Sequence, residues 1–236
     1  MEVTAADFVI LHKACDALDA IGVPYLVGGG TAVVLWGRNR RTKDFDLFLN
    51  REVLRAAMNA LSLAGFTTTD TEKNWLYKAW WGDLLVDLIV EVRGGVRITD
   101  DTMLRSRVVE QFGVTFRAMG PEDVVYRKIT CLTEGRPDWH DAISIIARQG
   151  RDFDWMYLLY LAQQHPRRVL AFFLFAQTEM HAPAGSPSSQ VENQLFPGDA
   201  DGPIPEWAVL TLLRQIWGRA ARSPLNPYRL DRRNAA

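Results

Sequence analysis

Two aspartates separated by a single residue are the first feature of this sequence that could carry out chemistry. Asp44 and Asp46 lie in residues 44–49, a run with the bulky apolar composition of a β-strand. Side chains two residues apart on a strand point to the same face, roughly 6.5 to 7 Å from each other. Carboxylates at that spacing can share divalent cations, and Mg²⁺ suits a site of few carboxylates plus substrate phosphates. The alternative is that both are solvated charges on a strand edge or in a turn.

A third aspartate interrupts the most apolar stretch of the chain. Asp87 stands in the middle of residues 84–90, with apolar neighbours on both sides. A buried carboxylate without a partner is costly, so an acid there needs a cation or a proton. If this strand lies beside the strand of Asp44 and Asp46, three carboxylates converge, and positive charge must neutralise them. The alternative is an edge strand on which Asp87 faces water.

A glycine triplet precedes the aspartates. Gly28, Gly29 and Gly30 follow a short apolar strand, and we expect a helix over residues 31–36 that starts on the glycines. Glycines let backbone N–H groups approach an anion closely, and a helix N-terminus adds partial positive charge. The segment is therefore a candidate phosphate cradle. It lacks the lysine of a P-loop and could equally be a tight turn between strand and helix.

Four basic residues stand between the glycines and the aspartates. Arg38, Arg40, Arg41 and Lys43 could bind a triphosphate or the phosphates of an acceptor, or they could form a solvated loop. Basic residues beside a carboxylate cluster are expected where metal and triphosphate are held together.

The elements around these residues alternate between helix and strand up to about residue 118. Apolar spacing near 3.6 predicts the helices, and short apolar runs predict the strands. The predicted helices cover residues 5–20, 31–36 and 51–64, and the predicted strands cover 25–27, 44–49, 75–81, 84–92, 108–112 and 114–116. Tight connections at Gly82-Asp83 and at Gly113 join two pairs of strands. We therefore expect an α+β fold in which helices flank a mixed β-sheet.

From Pro121 onward the signals are almost wholly helical. Proline followed by two acids is typical of a helix start. The predicted helices cover residues 121–134, 138–149, 154–164, 166–179 and 206–220. Residues 181–205 are rich in Pro, Gly, Ser and Asp, which predicts a flexible loop. We expect two domains, a catalytic one over residues 1–118 and a helical one over residues 119–236.

Composition excludes several classes of protein. The chain has 236 residues, 48% of them hydrophobic, and its 27 basic residues nearly balance its 28 acidic ones. That balance excludes a strongly basic nucleic-acid binder, so a charged partner must be met at a local site. No apolar run is long enough to span a bilayer, and Cys15 and Cys131 come without a signal-peptide pattern. We therefore expect a cytoplasmic protein with no membrane partner and no disulfide framework.

As a set, these motifs resemble the DNA polymerase β-type nucleotidyltransferase superfamily. The resemblance covers roughly residues 5–148 and rests on five stretches. They are Val27-Gly28-Gly29-Gly30-Thr31-Ala32, Arg40-x-Thr42-x-Asp44-Phe45-Asp46-Leu47, Val86-Asp87-Leu88-Ile89, Pro121-Glu122-Asp123-Val124-Val125-Tyr126-Arg127-Lys128 and Arg136-Pro137-Asp138-Trp139-His140-Asp141. The last two resemble the AbiEii-like branch, which includes the toxins of type IV toxin–antitoxin systems.

The resemblance implies a role for each matching residue. It implies that Asp44, Asp46 and Asp87 bind two Mg²⁺ ions and are catalytic. It implies nucleotide contacts at Gly28, Gly29, Gly30, Thr31, Arg40, Thr42, Lys128 and Asp141. Lys128 would also be catalytic, and Asp138 and Asp141 would form an acidic pair one helix later. From the sequence alone Lys128 could be a helix-surface lysine, and the two acids could be charges in a first helical turn.

Two functional hypotheses follow. The carboxylate triad favours a magnesium-dependent enzyme that transfers NMP from an NTP to an acceptor hydroxyl, with Asp87 as the best candidate base. The acceptor could be RNA, such as a tRNA 3′ end in a toxin with a cognate antitoxin partner, or a small molecule such as an antibiotic. The other hypothesis is a nucleotide-sensing or partner-binding module that keeps the fold and lacks turnover.

Overall fold

Two units divide the chain, Met1–Phe153 and Asp154–Ala236. A computed structural model describes residues 4–71, 73–133, 139–180 and 204–222. All described candidate site residues belong to the first unit. The catalytic domain over residues 1–118 stays a prediction, and the predicted loop of residues 181–205 lies outside the described residues except for its last two.

Strands and helices alternate through the described residues of the first unit. The strands are β1 (Tyr25–Val27), β2 (Asp44–Leu49), β3 (Thr67–Asp70), β4 (Leu76–Trp81), β5 (Leu84–Ile89), β6 (Arg107–Gln111) and β7 (Val114–Ala118). The helices are α1 (Phe8–Asp19), α2 (Gly29–Trp36), α3 (Leu54–Leu63), α4 (Asp100–Leu104), α5 (Pro121–Cys131) and α6 (Trp139–Gln149). The second unit contains α7 (Trp155–Ala162), α8 (Pro166–Met180) and α9 (Glu206–Arg222). No helix among the described residues is long and apolar enough to cross a membrane.

All seven strands form one sheet in the order β3-β4-β5-β2-β1-β7-β6. The pairs β2–β5 and β1–β7 are parallel, and the other neighbouring pairs are antiparallel. The prediction of an α+β fold with a mixed sheet flanked by helices is therefore confirmed.

The two faces of the sheet differ in polarity because side chains alternate along each strand. One face packs against α1 and α3 in a core that takes three fully buried residues from β2: Phe45, Leu47 and Leu49. Asp44 and Asp46 occupy the intervening positions of β2 and therefore lie on the opposite face. The same alternation on β5 buries Val86 and Leu88 in the core and places Asp87 on the face of the two aspartates.

The start of α2 agrees with the prediction, and the end of α5 does not. Helix α2 begins at Gly29, on the glycine triplet, and its first hydrogen bond runs from the N–H of Ala32 to the carbonyl of Gly28, over 3.0 Å. Helix α5 ends at Cys131 because Leu132 leaves the helical conformation, with ψ of 131°. Glycine has no Cβ, so the helix can start on the triplet itself.

Two short elements are absent from the sequence-based prediction. Strand β3 is a polar run, Thr67–Asp70, that becomes a strand by pairing with β4 at the edge of the sheet. Helix α4 has five residues and begins with a capping box formed by Thr99 and Thr102. Neither has an apolar periodicity long enough to be recognised in a sequence.

Candidate active site

Three carboxylates lie on one face of the sheet, at neighbouring positions of two strands. The parallel pairing of β2 with β5 places Asp46 directly opposite Asp87 and Asp44 opposite Leu85. Strand β5 lies between β4 and β2, and Asp87 is only 8% exposed. The alternative of an edge strand, on which Asp87 would face water, is therefore wrong.

The electrostatic state of Asp46 reflects this convergence. Burial raises its pKa most, and the charges of Asp44 and Asp87 raise it further, to about 7. The ammonium of Lys128 and the backbone N–H of Gly30 act in the opposite direction. That N–H donates to Asp46 Oδ2 over 3.4 Å. The cluster thus carries more negative charge than its surroundings neutralise.

Asp87 has one cationic partner on the neighbouring strand. Lys78 of β4 is its cross-strand partner, and Lys78 Nζ lies 3.3 Å from Asp87 Oδ1. Burial raises the pKa of Asp87, and the attraction of Lys78 offsets only part of that rise. A lysine in the apolar run of residues 75–81 was the signal that sequence reasoning missed.

The chemistry of these donors fits Mg²⁺, although they do not form a complete metal cage. No group of three or more His, Cys, Asp or Glu side chains within residues 4–71, 73–133, 139–180 and 204–222 is arranged to hold an ion by itself. Magnesium is usually bound by one or two carboxylates completed by substrate phosphates and water. Asp44, Asp46 and Asp87 are hard oxygen donors with surplus negative charge, so they fit an ion that arrives with a nucleotide.

Two of the three glycines press directly against the carboxylate face. Gly29 has a φ of +53°, and a Cβ there would strike the carboxylate of Asp46. A Cβ on Gly30 would strike the side chain of Thr42. The hydroxyl of Thr42 lies 3.3 Å from Asp44 Oδ1. Only glycine lets the start of α2 lie this close to the acidic residues.

The other residues predicted at the phosphate cradle lie further back. A Cβ on Gly28 would strike the ring of Phe48, so this glycine makes room for packing. Thr31 is 2% exposed, and its hydroxyl has no hydrogen-bond partner in the described part of the chain. Neither residue lines the cavity beside the carboxylates. Nucleotide contacts at Gly28 and Thr31 stay predictions.

A buried aspartate gathers three cationic side chains at the other side of the site. Asp141 of α6 is fully buried, and its carboxylate contacts Arg38 Nη2 at 2.7 Å, Lys128 Nζ at 3.0 Å and a guanidinium nitrogen of Arg40. Burial alone would raise the pKa of Asp141, but Lys128, Arg38 and Arg40 together lower it. Asp141 is thus ionised and holds the three cations in place.

Contacts and exposure show which of the basic residues are held at the site and which are solvated. Lys128 is 8% exposed, so the alternative of a helix-surface lysine is wrong. Arg41 and Lys43, which follow the paired arginines, are exposed. Asp138 lies outside the described residues.

A cavity of about 560 Å³ connects the acidic and basic groups. The predicted site residues that line it are Gly29, Gly30, Arg40, Thr42, Asp44, Asp46, Asp87 and Lys128. Apolar side chains form much of the remaining wall, among them Phe48, Trp75, Ile89, Val92 and Met119. Sequence reasoning missed this wall, because its residues come from β2, β5 and the segments that flank β4, β5 and α5.

Arg127 is a further lining residue that sequence reasoning missed. It is 5% exposed and donates to Asp123 Oδ1 over 2.7 Å and to the carbonyl of Arg97 over 2.9 Å. Its guanidinium lies 5.8 Å from the centre of the Phe48 ring. These contacts fix Arg127 in the wall of the cavity, next to Lys128 in the sequence.

Known proteins resemble this chain in family and in fold. Residues 7–157 match the family DUF2204, described as a nucleotidyl transferase of unknown function. The solution structure of the antibiotic-resistance factor ANT(2″)-Ia has a TM-score of 0.53 at 16% identity, and the match covers 75% of this chain and 100% of that one. This match shows a shared fold. No curated protein sequence matches the chain.

Two further solved structures are similar to a lesser degree, too weakly to support an argument. The lincosamide antibiotic adenylyltransferase LnuA bound to lincomycin has a TM-score of 0.42 at 17% identity, with 61% of this chain and 98% of that one covered. An antigenic nucleotidyltransferase-like protein from Paracoccidioides brasiliensis has a TM-score of 0.43 at 19% identity, with 73% and 95% covered.

The family match identifies the family of this chain but not a branch within it. The narrower AbiEii-like, toxin–antitoxin branch stays a prediction. The match over residues 7–157, together with the fold, identifies the chain as a member of the DUF2204 family of nucleotidyltransferases.

Proposed function

We propose that this protein transfers a nucleoside monophosphate from a nucleoside triphosphate to a hydroxyl of a small-molecule acceptor, with Mg²⁺ held by Asp44, Asp46 and Asp87. One observation carries the proposal: the three carboxylates line the same cavity as the cationic side chains of Arg40 and Lys128. Triphosphate–metal chemistry requires both kinds of group within reach of one substrate.

The basic side of the cavity would bind the triphosphate. Lys128 and Arg40 present positive charge to the cavity while Asp141 fixes their positions. A cation that is already held in place loses less conformational freedom when it binds a phosphate. Gly29 and Gly30 lie at the N-terminus of α2, where the helix dipole also favours an anion.

The acidic side would carry the chemistry. Magnesium, when bound, lowers the pKa of the acceptor hydroxyl and stabilises charge on the phosphates. The acceptor oxygen attacks the α-phosphorus, the bond from that phosphorus to the bridging oxygen of the β-phosphate breaks, and pyrophosphate leaves. Asp87 accepts the proton of the acceptor hydroxyl, because it lies opposite Asp46 in the register and lines the same cavity.

The volume of the cavity and the charge balance of the chain favour a small acceptor over RNA. A volume of about 560 Å³ lies within the range of small-molecule sites, which is roughly 300 to 1,000 Å³. The chain also has 27 basic residues against 28 acidic ones, whereas RNA binding by counterion release usually needs a large basic surface.

The acceptor class is tested by supplying α-³²P-labelled NTPs and Mg²⁺ with two separate pools, total RNA and a low-molecular-weight cell extract. Label that moves into the extract, with release of pyrophosphate, supports the proposal. Label that enters RNA alone overturns the acceptor class. Tight NTP binding without transfer to either pool, or to protein, favours the non-catalytic module.

A further inference from the structure

Lys78 forms an ion pair with Asp87, a contact that the proposed reaction does not require. Lys78 and Asp87 are direct partners on the antiparallel strands β4 and β5, with Nζ 3.3 Å from Oδ1. The ammonium also lies 5.5 Å from the centre of the Trp80 ring. A proposed metal ligand is therefore bound to a cation of the protein itself.

The surroundings of Asp87 explain why it needs such a partner. Its strand is an inner one, and its neighbours Val86 and Leu88 are fully buried on the core face. A carboxylate in that position without positive charge nearby would be costly. Lys78 neutralises part of the charge of the cluster as long as no other cation does.

Lys78 is much less firmly held than the other lysine of the site. The side chain of Lys128 is 9% exposed and lies 3.0 Å from an aspartate that is itself fully buried. The side chain of Lys78 is 29% exposed, and its contact with Asp87 is longer. A lysine has a flexible stem and a compact charge, so Lys78 can move toward solvent at little cost.

We propose that the ammonium of Lys78 pairs with the carboxylate of Asp87 in the metal-free protein and is displaced from it when a divalent cation binds. The proposal rests on the metal-dependent function above. Lys78 is then a positioning residue that keeps the acidic cluster intact and lowers its affinity for a free ion. A cation that arrives with a triphosphate gains phosphate ligands and overcomes this competition.

The experiment measures Mn²⁺ binding without nucleotide, by electron paramagnetic resonance, in the full chain. Lys78→Met removes the competing charge, so we expect its Mn²⁺ affinity to exceed that of the wild type by about tenfold or more. Lys78→Arg keeps the charge and should bind like the wild type. Lys13→Met is the matched control, because Lys13 also lies over a tryptophan of β4, 4.6 Å from the centre of the Trp81 ring, and Trp81 packs against the core on the face opposite the aspartates. The Mn²⁺ affinity of this variant should change by less than about twofold.

The outcomes separate this inference from the proposed function. Equal Mn²⁺ affinity in the wild type and in Lys78→Met overturns the inference that the metal displaces Lys78, and it leaves the metal-dependent function standing. If no variant binds Mn²⁺, even with a non-hydrolysable triphosphate present, both proposals are overturned. Binding that is tightened by Lys78→Met and abolished by Asp46→Asn supports both.

Discussion

Lys128 and Asp141 form a buried ion pair, with Lys128 Nζ 3.0 Å from Asp141 Oδ2 and the two side chains 9% and 0% exposed. The pair joins α5 to α6, and the same carboxylate binds Arg38, 103 positions earlier in the chain. One aspartate therefore holds together the basic side of the cavity. Ala142 and Ile145, which lie next to it on α6, are apolar and buried, and the three cations compensate its charge.

Removing Asp141 should cost more stability than removing Lys128. Asp141→Asn removes the negative charge that Lys128, Arg38 and Arg40 share, which we expect to lower the free energy of unfolding by about 3 kcal/mol. Lys128→Met leaves Asp141 with two arginine partners, so the loss should be nearer to about 1 kcal/mol. Urea unfolding of the two variants checks the order, and a greater loss in Lys128→Met would contradict it.

The stability that this cluster provides should disappear in acid. The pKa of Asp141 in the folded protein lies below its ordinary value of 3.8 because Lys128, Arg38 and Arg40 outweigh the effect of burial. The unfolded chain therefore takes up this proton first as the pH falls. The contribution is complete above about pH 4 and is lost as the pH falls through the folded pKa.

Unfolding of wild type and Asp141→Asn as a function of pH measures that contribution. The difference in free energy of unfolding should be constant between about pH 6 and pH 8 and should shrink below about pH 4. A difference that grows toward acid would contradict the assignment of an ionised Asp141.

Gly29→Ala should damage the site beyond its effect on the backbone. Gly29 and Gly22 both have positive φ, +53° and +65°, but a Cβ strikes Asp46 at Gly29 and meets nothing within 4 Å at Gly22. Each substitution should cost about 1 kcal/mol of stability through backbone strain. Gly29→Ala should also lower the rate of transfer, which Gly22→Ala should leave near the wild-type rate. Equal rates in the two variants, measured by pyrophosphate release, would show that Asp46 tolerates displacement.

The two cysteines should differ in reactivity toward iodoacetamide. Cys15 is 1% exposed, and burial raises its pKa to about 12, so its thiol stays protonated and inaccessible. Cys131 is half-buried and lines the cavity. Mass spectrometry should find alkylation at Cys131 and slower alkylation in the presence of an NTP. Labelling at Cys15 would contradict its burial, and a lack of protection of Cys131 by any NTP would contradict the position of the nucleotide.

The sequence alone was sufficient to predict which strand residues carry the carboxylates. Asp44 and Asp46 share a face because of the two-residue period, and Asp87 is conspicuous in an apolar run. The three carboxylates converge only because β2 pairs with β5. The sequence analysis could state that pairing only as a condition. The mixed sheet was predicted from the same alternation of elements.

Contacts between residues distant in the chain could not be predicted in the same way. The ion pairs of Asp141 with Arg38 and Arg40 join residues about a hundred positions apart, so no local pattern reveals them. Lys78 acquires its role only when β4 pairs with β5 in this register. Strand β3 is too polar to be recognised, and it exists because an edge position is available beside β4.

The most direct test of the account is transfer of label from α-³²P-labelled NTP by the wild type, Asp44→Asn and Asp70→Asn. Asp70 is an exposed acid at the end of β3, so its substitution controls for the loss of one negative charge. We expect Asp44→Asn, or removal of Mg²⁺ with EDTA, to reduce transfer at least about 100-fold, and Asp70→Asn to retain the wild-type rate. Transfer that proceeds equally well in Asp44→Asn would contradict a reaction centred on these carboxylates.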